Sequence, residues 1–108
     1  MAIHHASSGE VVNLLLGRDL PTAQTTTVVK TDQLEVLRLV VPAGKDIPRH
    51  QVSESITVQC LEGRVIFTTG EKDQELSAGQ FMYLAGGEPH ALRGVEDSSL
   101  LVTIWLGK

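Results

Sequence analysis

Residues 44–63, GKDIPRHQVSESITVQCLEG, and residues 79–94, GQFMYLAGGEPHALRG, decide the reading of this 108-residue chain. Each couples a strand-like apolar run to glycines at turn positions. Each also places one histidine, His50 or His90, at the edge of that run. Working outward, short β-branched or apolar segments recur with Gly, Pro or polar breaks between them, which is the pattern of an all-β sandwich or barrel. The segments are Thr25–Lys30, Leu34–Val41, Ile56–Leu61, Arg64–Thr69, Gln74–Leu76, Gln80–Leu84, His90–Arg93 and Leu100–Leu106. No stretch sustains the 3.6-residue apolar period of an amphipathic helix.

Several breaks carry specific expectations. Glu62-Gly63 reads as the turn of a hairpin joining the two strands around it. Val95–Ser99 reads as a polar turn, Arg18–Gln24 with Pro21 as a connection, and Glu10–Leu16 as a short strand or a helical turn. Leu34–Val41 is apolar on both of its faces, so cover is expected on both sides. Residues 1–9, MAIHHASSG, read as a loose or docking arm that reaches over a partner subunit. His4 and His5 lie in this arm, and adjacent strand positions would face them apart.

The length fits one domain over residues 1–108. The net charge of −4 and only nine Lys and Arg argue against nucleic acid and against an anionic membrane surface. No run reaches the length of a membrane span and no secretion leader is evident, so the cytoplasm is the default location. The lone Cys60 has no partner for an internal disulfide and sits in an apolar run, which favours a buried, inert thiol.

The two segments resemble the paired motifs of the cupin superfamily, in its small RmlC-like form. Gly44, five residues, His50 and the closing Gly63 follow the first motif. Gly79, five residues, Ala85-Gly86-Gly87, two residues and His90 follow the second, with Gly94 where that motif has Asn. The resemblance implies a double-stranded β-helix, a small jelly-roll barrel. It also implies a divalent metal (Fe, Mn, Ni or Zn) held by three histidines and a glutamate. His50 and His90 occupy two of those ligand positions. Val52 stands in place of the other histidine and Ile56 in place of the glutamate. A protein-bound divalent metal ordinarily takes at least three protein ligands. The set is therefore degenerate, and a metal-free protein is as good an expectation as a metal-bound one. Glu54, Cys60 and Tyr83 are the groups nearby in sequence available to complete it.

The expected cup wall is apolar at Val52, Ile56 and Val58, with His50 and His90 as its polar groups. Such a cup suits a small, partly apolar ligand better than a sugar phosphate. Arg49, next to His50, is expected to face outward. The leading expectation is a small-molecule-binding protein of unassigned activity. The alternatives are an enzyme, either metal-dependent and dioxygenase-like or a metal-free isomerase using His50 or His90 with Tyr83, and a non-catalytic sensor or structural dimer. A homodimer is expected, because open sheet edges need cover.

Overall fold

The computed structural model describes residues 4–107. Nine strands form two sheets. They are β1 (Thr26–Lys30), β2 (Leu34–Val41), β3 (Asp46–His50), β4 (Ile56–Glu62), β5 (Arg64–Thr69), β6 (Lys72–Ser77), β7 (Phe81–Leu84), β8 (His90–Gly94) and β9 (Ser98–Trp105). The larger sheet runs β1-β2-β9-β4-β7 and the smaller β3-β8-β5-β6, with every pairing antiparallel.

Alternation decides which side chains enter the space between the sheets. Register sets Leu37, Val102, Val58 and Met82 in one row across the larger sheet, and Glu35, Ile104, Ile56 and Leu84 in the next. The facing row of the smaller sheet is Ile47, Leu92 and Phe67. Val58, Val65, Phe67 and Leu100 are almost wholly buried. Phe67 is the only aromatic ring of Phe, Tyr or Trp type in this core, so Val, Leu and Ile supply most of the apolar burial that holds the sheets together.

Glu62-Gly63 does not make a hairpin. β4 pairs with β7 and β9, whereas β5 pairs with β6 and β8. The chain passes from one sheet to the other at Gly63, which has φ +81° and lies against the start of β9. A β-carbon there would fall 2.2 Å from the Asp97 carbonyl oxygen. Only glycine permits both that backbone conformation and that approach. The polar turn expected over 95–99 is correspondingly shorter. Ser98 and Ser99 are fully buried and open β9, because both hydroxyls find partners. Ser98 Oγ accepts from the Arg64 N–H at 2.8 Å, and Ser99 Oγ donates to Glu62 at 2.6 Å.

β3 is not evident as a strand in the sequence: Pro48, the charged Asp46 and Arg49, and a register shift between Ile47 and His50 obscure its alternation. The 10–24 segment holds no strand, and its regular part is a 3-10 turn, Gly17–Thr22, with Pro21 inside it. This segment covers the outer face of β2. Leu16 and Gly17 N–H groups donate to the Glu62 carboxylate at 3.0 and 2.8 Å, and the Arg38 guanidinium donates to the Asn13 and Leu14 carbonyls. In the arm, the Ala6 N–H donates to the Val28 carbonyl of the same chain, and His4 pairs with Glu10; residues 1–3 lie outside the described residues. Among the described residues no helix is long and apolar enough to cross a membrane.

Partial burial pushes the Glu62 carboxyl upward. The hydrogen bonds from Leu16, Ser99 and Gly17, with the Arg38 charge, outweigh it and leave the group below the ordinary glutamate value. A carboxylate lowered on folding contributes stability above its unfolded pKa and loses it as pH falls through the folded one. Glu62→Gln is therefore expected to speed amide exchange at Leu16 and Gly17, and to flatten the fall in stability through the acid range. Unchanged protection of both amides would refute the pin. At the corner, Gly63→Ala is expected to cost several times the roughly 1–2 kcal/mol that positive φ alone imposes on an L-residue. Gly44→Ala, at φ +79° with nothing near its β-carbon position, should cost only that smaller amount. Equal urea midpoints for the two variants would show that the contact at Gly63 is unimportant.

Candidate functional site

The two sheets enclose a cup of about 270 Å³. The larger sheet contributes Leu37, Leu39, Ile56, Val58, Val102 and Ile104 to its wall. The smaller sheet contributes Ile47, His50, Phe67, His90 and Leu92, and Val52 comes from the loop after β3. The sequence-expected wall residues Val52, Ile56 and Val58 all line it, and the only polar side chains on it are those of His50 and His90. The volume exceeds the ~150 Å³ that suffices for benzene in an apolar cavity.

His50 and His90 meet because β3 and β8 place them directly opposite each other. Their ring centroids are 4.3 Å apart in an edge-to-face arrangement. His50 is exposed at the rim, whereas His90 is 4% exposed and lies near Phe67, at 6.3 Å between ring centroids. Both rings are held alike. Nδ1 of His50 lies 3.1 Å from the Pro48 carbonyl oxygen, and Nδ1 of His90 lies 3.1 Å from that of Glu88. This shared back-bonding has no signature in the sequence, since any residue two positions earlier carries the carbonyl.

The other expected site residues do not join them. Tyr83 is opposite Thr57 on the outer face of the larger sheet, is 61% exposed, and donates to the Ser55 hydroxyl at 3.4 Å. The alternation that turns Met82 and Leu84 inward turns Tyr83 outward, so the His–Tyr pair of a metal-free isomerase does not assemble in the cup. Cys60 is fully buried beyond the cup, and burial pushes its thiol pKa up. Glu54 accepts from the Ser53 hydroxyl at 2.9 Å and is not on the wall. Arg49 donates to the Gly70 carbonyl, away from the cup as expected.

A resident divalent ion does not fit this donor set. Two neutral imidazoles face hydrocarbon at Val52 and Ile56, and no carboxylate on the wall offsets the charge of an ion. Among the described residues no three His, Cys, Asp or Glu side chains converge. What the site can do is hold a small apolar body and meet one polar end with two ring nitrogens.

Known structures place this architecture. A conserved protein of unknown function from Streptococcus pyogenes is 23% identical, with a TM-score of 0.77, over 100% of this chain and 97% of its own. An RmlC-like cupin with a double-stranded β-helix fold from Methanocaldococcus jannaschii is 16% identical, with a TM-score of 0.74, over 84% and 86%. A DMSP lyase from Ruegeria pomeroyi is 23% identical, with a TM-score of 0.69, over 78% of this chain and 46% of its own. At these identities the likeness is one of fold, and the fold carries both uncharacterised proteins and an enzyme. No curated protein matches the sequence. The family model described as the cupin domain matches residues 37–107, from the second strand through the last, and the chain belongs to the cupin family.

Proposed function

We propose that this protein binds a small, largely apolar molecule in the cup between its sheets, with the polar end of that molecule at His50 and His90. The observation that supports this reading is the composition of the wall, which is hydrocarbon or phenyl everywhere except at those two rings. A preformed apolar cavity with a small number of convergent polar groups is the usual form of a small-molecule site. A sugar phosphate would meet neither cations nor hydroxyls on this wall, and a metal-dependent reaction would lack the carboxylate and the third nitrogen.

A second reading concerns assembly, and we propose a homodimer formed through the outer face of the larger sheet. Phe81, Tyr83 and Trp105 are each about 60% exposed there. Register places them around Thr57, Gln59, Leu101 and Thr103, none of which is charged. Arg38, opposite Leu101 on the same face, donates to the Asn13 and Leu14 carbonyls, so a second copy of the surface would bury these rings against mainly uncharged neighbours.

Titration with p-cresol, followed by the methyl resonances of Val58 and Val102, is expected to saturate with shifts confined to the cup. Leu39→Phe, which fills the cavity, should weaken binding at least tenfold while the fold is retained. Saturation with shifts elsewhere would defeat the cup reading. One equivalent of metal in the purified protein, absent from a His50→Ala/His90→Ala variant, would replace it with a metal-dependent enzyme. For the assembly, sedimentation at micromolar concentration is expected to give a dimer that Phe81→Glu/Tyr83→Glu converts to a monomer; a monomeric parent would remove that proposal.

A further inference from the structure

We infer that the cup selects small apolar molecules carrying a hydrogen-bond donor, a hydroxyl above all, over those whose polar group only accepts. This rests on the cup reading above and adds what its polar end recognises.

Backbone carbonyls decide where the two histidine protons sit. Each Nδ1 lies 3.1 Å from a backbone carbonyl oxygen, that of Pro48 for His50 and that of Glu88 for His90. A carbonyl oxygen has no hydrogen to give, so each Nδ1 carries the proton and donates it. In the neutral form an imidazole has one N–H, so with Nδ1 protonated each Nε2 then presents a lone pair. Among the described residues neither Nε2 has a hydrogen-bond partner. The remaining wall is hydrocarbon and phenyl, and supplies no donor. The polar end of the cup is therefore a pair of acceptors, and the donor must arrive with the ligand.

The two acceptors are not equivalent. His50 stands exposed at the rim, where water reaches it. His90 is 4% exposed and lines the cup, so its lone pair is met by water or by the donor of a ligand within the cup. A hydroxyl directed at His90 completes a buried hydrogen bond, and its own oxygen can accept from water at the rim. An ether, a ketone or a carboxylate sets lone pair against lone pair. A carboxylate also finds no Lys or Arg on the wall. An unmade hydrogen bond at a buried acceptor is penalised more than a made one is rewarded, so the discrimination falls mainly on molecules that lack the donor.

p-Cresol and p-xylene test this, because they differ only by a hydroxyl in place of a methyl. Their affinities are compared for the parent protein and for His90→Phe, which cancels the greater hydrophobicity of p-xylene. The p-cresol to p-xylene affinity ratio is expected to fall on the order of tenfold in the variant. Nitrogen-15 correlation spectra of the parent, which require no variant, are expected to show Nδ1 protonated and Nε2 bare in both rings. A ratio unchanged by the variant, with both probes bound, overturns the inference and leaves the cup reading standing. Spectra with the proton on Nε2 of His90, or benzoate binding more tightly than p-cresol, also overturn it. If neither p-cresol nor p-xylene binds, both the inference and the cup reading fall.

Discussion

The structure turns on the close contact at Gly63. Two sheets can enclose a cup only if the chain passes between them without leaving polar backbone stranded in the core. Here β4 ends in one sheet and β5 begins in the other within a single residue. The corner is sealed by Ser98, whose hydroxyl accepts from the Arg64 N–H, while Ser99 beside it meets the Glu62 carboxylate. The same carboxylate reaches outward to the Leu16 and Gly17 amides. One corner thus joins the two walls, starts the last strand and fastens the segment that covers β2.

With the walls fixed this way, the cup's chemistry depends on which residues alternate inward. β4 turns Ile56 and Val58 into the space, and β2 and β9 turn in Leu37, Leu39, Val102 and Ile104. No charged side chain lies on this wall. Hydrocarbon walls strengthen any polar interaction made inside them, and equally penalise a polar group left without a partner. The two histidines are the only side chains subject to both effects.

Much of this was legible in the sequence, and the limits have physical causes. Arg64–Thr69, whose burial alternates at Val65 and Phe67, and Leu34–Val41, a mainly apolar run stopped by Pro42, show their observed bounds in the sequence, because both signals are local. The expectation that His50 and His90 meet on a wall with Val52, Ile56 and Val58 comes from the resemblance of the two motifs to those of cupins, and all five line the cup. Gly63 was read as a hairpin turn because a glycine between two strands looks the same whether the chain folds back or changes sheets; the distinguishing contact, with Asp97, is 34 residues away in the chain. Ser98 and Ser99 looked like turn residues because their partners, Arg64 and Glu62, are equally remote. Tyr83 was a candidate by proximity in sequence, but its register opposite Thr57 sets it on the outer face.

The back-bonding of the histidines links fold to function. A surface imidazole rotates freely and exchanges its proton between two nitrogens, so it reads no particular partner. Here β3 and β8 each return a carbonyl to the ring two residues later, which fixes both the ring plane and the nitrogen that carries the proton. The arrangement resembles the way backbone carbonyls orient histidines that ligate metals, where the free nitrogen must present a lone pair. A wall without a carboxylate does not favour an ion at that lone pair. It leaves the same orientation available to a neutral donor. The fold carries at His90 a polar group turned to the cup, where water or the donor of an occupant can meet it.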